Sequence, residues 1–336
     1  MSARRRSLGA LAGLGLVAAA GRRRRRAGFL DGTDPLGPNG SRLPEGRSLV
    51  VPTDDGAHLA VTVAGPDDGP TVVLAHCWTG SRATWGAVAR RLVLGGHRVV
   101  LYDQRGHGRS ASCDVPPSIP QLGHDLRAVI EATEATDAIF VGHSMGGMTI
   151  KSYAQEHPDH FRAHARGVVL VATAAQTLGR QLPVRLVEAL MGEGRMEWTR
   201  RGAIGRRMVR GSLGQRVHRA HLDHTLEHFA ATHGAARAGY LVAMAAMDLR
   251  AVLASMDVPA TVLVGTRDRL TPPRAARVLA DGLPDARLLM LPGAGHMLPL
   301  EAPDRVIDAI KDTARRAGVI APPAPAAGPR RVAPVG

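Results

Sequence analysis

The sequence predicts a doubly wound α/β domain with a mostly parallel sheet, and three features of the 336-residue chain support this fold class. Short, continuous apolar runs alternate with helical patterns, which is typical of parallel strands buried on both faces. Residues able to do chemistry follow several of these runs directly, where the carboxyl ends of parallel strands gather. Hydrophobic residues make up 45% of the chain, enough for one large core.

Eight strands are predicted. The runs 48–51 and 59–63 form a hairpin, with Asp54, Asp55 and Gly56 in its turn. The six later runs are continuous and apolar, and we expect them to be buried on both faces; they are 71–75, 98–102, 138–141, 167–171, 260–264 and 287–291. Helical patterns lie between most of them, which completes the alternation of a doubly wound domain.

Residues 173–256 interrupt this alternation. They contain no strand pattern, and four stretches look helical, namely 182–191, 200–210, 215–229 and 235–247. A helical insertion between strands 6 and 7 is expected to cover one edge of the sheet as a cap. Its methionines and leucines predict a pliable apolar lining, although most of the methionines are expected to pack the cap onto the domain.

The two ends of the chain differ in composition from this body. Residues 1–30 carry eight arginines and no acidic residue, around an apolar stretch at 8–21. That stretch is shorter than the roughly 20 residues of a bilayer span, and the five arginines after it oppose export. The segment is interpreted as membrane-associating, a degenerate export signal or a disordered tail, so the protein is expected to be membrane-associated or cytoplasmic, with export possible. Residues 31–47 are predicted to be a linker, and 317–336 a disordered Pro/Ala-rich tail.

The charge of the chain does not indicate a nucleic-acid partner. The formal net charge is +14, and 41 of the 43 basic residues are arginine. The chain lacks a basic helix interleaved with aromatic residues and lacks zinc-ligand spacing, so no nucleic-acid partner is expected. Two cysteines, Cys77 and Cys113, are predicted to be unpaired thiols.

The run Ile-Phe-Val-Gly-His-Ser-Met-Gly-Gly at 139–147 is the most informative motif. It predicts a strand, a sharp turn at Ser144 and the start of a helix. Such a turn exposes the serine hydroxyl, and it needs glycine at 142 and 146 because side chains there would collide with the neighbouring elements. Ser144 is therefore a candidate nucleophile.

A serine hydroxyl needs a base within reach, and that base needs an orienting acid. Asp268 follows the predicted strand 260–264, and His296 follows the last strand. Taken alone, Asp268 could cap a helix before Thr271, and His296 could be an ordinary loop residue. The chain order Ser144, Asp268, His296, with each residue past a strand end, favours a catalytic triad.

These motifs resemble the serine hydrolases of the α/β-hydrolase superfamily, of esterase or lipase type, over about residues 48–316. The turn His76-Cys77-Trp78-Thr79-Gly80 and the loop at 103–110 are similar to motifs of that family. The resemblance implies an oxyanion hole formed by the backbone N–H groups of Trp78 and Met145. Cys77 stands where the family usually has glycine, and it would carry about 1–3 kcal/mol of strain if that position required a positive φ.

The resemblance and the motifs together imply two-step acyl transfer on a carboxylic ester with an apolar acyl or alcohol part, without a metal or an organic cofactor. A carbon–carbon bond hydrolase, a lactonase, a thioesterase or a cofactor-free perhydrolase could use the same three residues. A non-catalytic ligand-binding or membrane-tethered module is the alternative outside enzymes. The oligomeric state is left open.

Four histidines recur at three- and four-residue spacing within the cap, at positions 218, 221, 224 and 228. This spacing places them on one helical face, which could hold a metal ion. No carboxylate completes a recognised zinc motif, so a polar face of the cap is the favoured interpretation.

Overall fold

The structure is a computed structural model, and it describes residues 28–29, 40–110, 115–177, 185, 187, 191 and 203–321. Cys113, most of the arginine-rich segment, residues 30–39 and the tail from residue 322 lie outside these ranges, as does much of the predicted helical stretch 182–191. None of the helices in the described part of the chain is long and apolar enough to cross a membrane.

An eight-stranded sheet forms the centre of the fold, in the order β8-β7-β6-β5-β3-β4-β2-β1. Strand β1 pairs antiparallel with β2, and β2 pairs antiparallel with β4, whereas the other neighbours are parallel. This confirms the predicted fold class. The strands are β1 Arg47–Pro52, β2 His58–Ala64, β3 Thr71–Ala75, β4 Arg98–Tyr102, β5 Ala138–His143, β6 Ala165–Val171, β7 Ala260–Gly265 and β8 Ala286–Leu291.

Helices cover both faces of the sheet. The described helices are α1 Gly86–Leu94, α2 Ile119–Thr133, α3 Met145–Glu156, α4 Pro158–His164, α5 Ala203–Arg210, α6 Arg219–Ala231, α7 Gly234–Ala246, α8 Pro273–Gly282, α9 Leu298–Glu301 and α10 Pro303–Arg316. Alternate residues of each central strand enter different cores. Val73 of β3 belongs to the core that also contains residues of α2, α3 and α8, whereas Leu74 belongs to the core that contains residues of α1 and α10. This alternation gives two apolar cores, one on each side of the sheet.

The last strand, β8, departs from the expectation that all six later runs are buried on both faces. Among the described strands it lies at the edge of the sheet, beside β7, and its Met290 is 44% exposed. Strand β5, at the centre, is buried along its whole length. The prediction was wrong for β8 because the position of a strand within the sheet, rather than its apolar sequence, decides its exposure.

The cap lies between β6 and β7, where the sequence predicted it, and contains α5, α6 and α7. Its two ends meet at the sheet, since Gln176 and Asp248 form an isolated antiparallel bridge. The sequence predicted a cap without strands, but Arg216–Val217 forms a short parallel ladder with Gly28–Phe29. A two-residue pairing carries no periodic signal, so the sequence pattern could not indicate it.

Candidate active site

Ser144 occupies the sharp turn between β5 and α3. Its φ of 53° and ψ of −111° lie in a region that non-glycine residues rarely adopt, which costs about 1–3 kcal/mol. Hydrogen bonds to β6 and the residues after it hold the strained residue: its N–H donates to the Val171 carbonyl at 2.9 Å, and its carbonyl accepts from Thr173 Oγ1 at 2.7 Å as well as from the first turn of α3. The predicted elbow is therefore present at the carboxyl end of a central strand.

The glycines of this turn permit very close packing. A Cβ atom on Gly142 would lie 2.5 Å from the carbonyl carbon of Gly146, and one on Gly146 would lie 2.1 Å from the Ala75 carbonyl oxygen. Neither approach is possible with a side chain present. The start of α3, which includes Met145, therefore lies directly against the end of β3, from which the turn containing Trp78 follows.

Asp268 and His296 lie together beyond the ends of β7 and β8. The Asp268 Oδ2 atom is 2.8 Å from His296 Nδ1. The same carboxylate accepts the N–H groups of Leu270 and Thr271 on Oδ1, and the Thr271 hydroxyl on Oδ2. Asp268 is therefore not the helix cap that was its alternative interpretation, since α8 begins only at Pro273. Sequence reasoning missed the role of Thr271, whose position three residues after an acid is the signal of such a turn.

The backbone of His296 is fixed on both sides. Its N–H donates to the Ser212 carbonyl at 2.7 Å, and its carbonyl lies 2.8 Å from His143 Nε2. A carbonyl only accepts, so Nε2 of His143 carries the proton. Burial lowers the pKa of His143 well below its ordinary value, which keeps this ring neutral. The His143 and His296 rings lie 5.0 Å apart, so the residue before Ser144 contacts the candidate base.

Gln104 forms hydrogen bonds with the turn after β3, which contains the predicted oxyanion donor Trp78. The Gln104 side chain donates to the His76 carbonyl, at 2.5 Å, and accepts from the Thr149 hydroxyl of α3 at 2.6 Å. The backbone N–H of Gln104 donates to His76 Nε2 at 2.8 Å. Gln104 thus connects the turn after β3 with the helix that follows Ser144, a role that its loop position did not reveal.

Cys77 does not carry the strain that a positive φ would impose. Within the described part of this turn, the positive φ belongs to Thr79, at 56°. The sulfur of Cys77 packs over Gly80, where a Cβ atom would lie 2.8 Å away. Burial raises the pKa of the Cys77 thiol to about 12, so the thiol stays protonated and unreactive.

The cap reaches the candidate site through apolar and aromatic contacts. The indole of Trp78 donates to the Arg237 carbonyl of α7 at 3.1 Å and packs edge-on against Phe229, with ring centroids 5.7 Å apart. Cys77 and Met297 belong to one apolar cluster with residues of α5 and α6. The surroundings of the site are therefore mainly apolar on the side of the cap.

The four cap histidines were predicted to form a polar face of the cap, and the structure differs from this prediction. His218 precedes α6, and His221 is only 4% exposed. Burial lowers the pKa of His224 to about 3, and its ring lies 4.1 Å from that of His228. The residues that the structure describes contain no group of three or more histidine, cysteine or acidic side chains able to hold a metal ion.

Fold and site together define a member of the α/β-hydrolase superfamily of serine hydrolases. The family described as serine aminopeptidase S33 matches residues 68–303, and the chain belongs to that family. It is 32% identical over 258 residues to the proposed carbamate hydrolase RutD of Variovorax paradoxus, covering 71% of this chain and 89% of that one. It is 26% identical over 260 residues to the bifunctional esterase/perhydrolase DCH of Acinetobacter calcoaceticus, covering 74% and 93%.

A solved structure gives the same class. The enol-lactonase from Burkholderia xenovorans LB400 superimposes with a TM-score of 0.67 at 26% identity, covering 80% of this chain and 99% of that chain. The chain is therefore a hydrolytic enzyme, as the sequence predicted.

Proposed function

We propose that this enzyme hydrolyses carboxylic esters through an acyl-enzyme formed on Ser144, with His296 as the general base and Asp268 as its orienting acid. One observation carries the proposal: Asp268 Oδ2 lies 2.8 Å from His296 Nδ1, beside the strained turn of Ser144. All three side chains are buried by at least nine-tenths, with exposures of 7% for Ser144 and 4% for each of the other two.

The hydrogen bond between His296 and Asp268 supports Nε2 of His296 as the proposed base. An ionised carboxylate only accepts, so the proton of neutral His296 lies on Nδ1 and faces Asp268. Nε2 is left to take the proton of Ser144 as its oxygen attacks the carbonyl carbon. The imidazolium then gives this proton to the leaving alcohol, and a water molecule activated by Nε2 releases the acid. Asp268 stabilises the imidazolium in both steps.

The backbone N–H groups of Trp78 and Met145 are the proposed donors to the oxyanion. Close packing of Gly146 on the end of β3, together with the Gln104 bridge, supports their placement side by side. Loss of one such donor typically costs about 2.7–4 kcal/mol of transition-state stabilisation. No step of this mechanism requires a metal ion or an organic cofactor.

The apolar contacts of the cap support an ester of small to medium size with an apolar acyl or alcohol part. Trp78 of the expected oxyanion turn packs on Phe229, and Met297, directly after His296, belongs to an apolar cluster with residues of the cap. One relative is named as an esterase/perhydrolase and another as an enol-lactonase. Lactone hydrolysis and peracid formation are therefore alternative reactions for Ser144, Asp268 and His296.

Labelling with a fluorophosphonate tests the nucleophile. We expect wild type and S255A to be labelled, and S144A to be unlabelled and inactive on p-nitrophenyl esters. Ser255 is a suitable control because it is exposed and its hydroxyl donates to the local Val252 carbonyl, in a short helix outside the predicted motifs. A wild-type chain that neither labels nor cleaves short esters would refute the proposal and favour a non-catalytic binding module.

A substrate panel then separates the reactions. Esters, lactones and thioesters of increasing chain length are compared by kcat/KM, with a carbon–carbon bond substrate and peracid formation as further arms. We expect apolar esters to give the highest kcat/KM. A preference for any other arm by tenfold or more would reassign the substrate class while leaving the mechanism in place.

A further inference from the structure

Glu301 lies in α9, five residues after His296, and its carboxylate joins the loop of His296 to the cap. Its Oε2 atom accepts the N–H of Gly214, from the cap, at 2.7 Å and the N–H of Gly295 at 3.0 Å. Its Oε1 atom accepts the N–H of Met297 at 2.9 Å. One side chain thus holds the amides on both sides of His296. We call Glu301, Gly214, Gly295 and Met297 the Glu301 clamp.

Close backbone packing makes this clamp possible. A Cβ atom on Gly295 would lie 2.3 Å from the Gly214 nitrogen, and one on Gly214 would lie 2.5 Å from Glu301 Oε2. Both positions therefore need glycine for one oxygen atom to accept from both amides. Two further bonds fix the register of the loops: His296 N–H to the Ser212 carbonyl at 2.7 Å, and Gln215 N–H to the Gly293 carbonyl at 2.9 Å.

An ionised carboxylate suits the clamp, since all three partners donate and both of its oxygen atoms accept. Burial raises the pKa of Glu301, and the three N–H bonds and a protonated His296 oppose that effect. Titratable or charged residues near the loop and α9 include Asp268 and His143, which bond His296, Arg210, whose charge acts on Glu301, and Arg267, whose N–H donates to the Ala294 carbonyl; the pairs Arg82–Asp103 and Arg91–Asp304 belong to the neighbouring elements. Asp268 contacts the His296 ring, and the Glu301 carboxylate is a second negative charge that interacts with it.

We propose that Glu301 is a positioning residue that fixes the backbone of His296 against the cap and places a second negative charge beside its imidazolium. The inference rests on the proposed function only for the role of His296 as the base. A carboxylate near an imidazole favours the protonated ring. A fixed backbone on either side keeps Nε2 aimed at the reacting atoms, and small misplacements of such groups reduce rates strongly.

The first test is the NMR signal of the His296 ring in the full-length chain at fixed pH, with H296N to assign it, together with the pH profile of kcat/KM. We expect E301Q to change this ring signal, because the amide removes the negative charge and has only one accepting oxygen for the three N–H donors. The low-pH limb of kcat/KM should move to lower pH, because a nearby carboxylate favours a protonated base, and the plateau of kcat should fall about tenfold. E227Q is the matched control, since Glu227 is exposed on α6 and loses the same charge. An unchanged ring signal and pH profile in E301Q, or equal changes in E227Q, would overturn the proposal.

E301D gives a second test, which decides the matter if E301Q does not fold. The shorter side chain keeps the charge but cannot reach all three amides. We expect the low-pH limb of kcat/KM to stay where it is in wild type while kcat/KM itself falls about tenfold. Full kcat/KM in E301D would refute the positioning role. Because the NMR measurement needs no substrate, the expected change of the His296 ring signal in a chain that fails to hydrolyse esters would refute the proposed function and leave the clamp standing.

Discussion

Lys151 is a fully buried amine in α3, the helix that follows Ser144, and it offers a quantitative test of the structure. Its Nζ atom donates to the Gly147 carbonyl at 2.6 Å, and no other described hydrogen bond of this amine is present. Burial lowers the pKa of Lys151 from 10.5 to about 7. We expect K151M to be more stable than wild type, because methionine fills a similar volume without an amine to desolvate.

The magnitude follows from proton linkage. The unfolded chain binds a proton on Lys151 up to pH 10.5, whereas the folded chain loses it near pH 7. Stability therefore rises with pH through this window, and at pH 7 the amine costs about 4 kcal/mol relative to its neutral form. The lost bond to Gly147 offsets about 1 kcal/mol of that gain. We expect K151M to raise the free energy of unfolding by about 3 kcal/mol at pH 7.

Urea unfolding at pH 7 and pH 9 measures this difference. At pH 9 most of the folded chain and little of the unfolded chain has lost the proton, so the advantage of K151M should shrink by about 2 kcal/mol. K311M is the control, because Lys311 is the other lysine of the chain and is only half-buried in α10. A K151M variant that is less stable than wild type, or whose advantage does not change with pH, would refute the reasoning.

Three further predictions concern the site and its support. D268N should lower kcat about 10⁴-fold, because the amide favours the wrong tautomer of His296. The fold should stay intact, since Oδ1 can still accept from the N–H groups of Leu270 and Thr271. A loss below tenfold in ester hydrolysis would contradict the assignment. R105A should lower the free energy of unfolding by about 3–5 kcal/mol, since it leaves the carboxylates of Asp55 and Asp125 without their shared guanidinium. The matched surface variant R162A breaks the exposed pair with Asp159 and should lower the free energy of unfolding by less than about 1 kcal/mol. Burial lowers the pKa of His76, His107 and His224 to about 3, so below pH 6.5 only the unfolded chain protonates them. The free energy of unfolding should therefore fall as the pH drops below 6.5, by up to about 4 kcal/mol per pH unit. A urea midpoint that stays constant between pH 7 and pH 5 would contradict this.

The strands and the candidate triad could be predicted from the sequence because each is marked by a local pattern of residues. Each apolar run contains its own strand, and Ser144 is defined by the glycines around it. Asp268 and His296 were proposed as partners of Ser144 because each follows a strand end, and parallel strands bring those ends together. The same logic could not show that β8 lies at an exposed edge, since its apolar run resembles those of buried strands.

The supports of the site were harder to predict because their partners lie far away in the chain. Gln104 bonds the His76 carbonyl and Thr149, and Glu301 bonds the N–H of Gly214, 87 residues earlier. A side chain that binds a distant backbone amide leaves no pattern in its own sequence, since nearly every residue type carries such an amide. Cys77 shows the reverse case. The family comparison suggested strain there, but the backbone places the positive φ two residues later, at Thr79.

The cap contacts both halves of the candidate site through backbone groups. On one side, the Trp78 indole donates to the Arg237 carbonyl of α7, and the buried Arg237 guanidinium in turn binds the carbonyls of Met191, Phe229 and Thr232. On the other side, the cap residues Ser212 and Gly214 hold the His296 loop. A shift of the cap would therefore move the proposed oxyanion donor and the proposed base together. For this reason, substitutions that repack the cap should change kcat as well as KM, and the choice of substrate cannot be separated from the alignment of the groups that act on it.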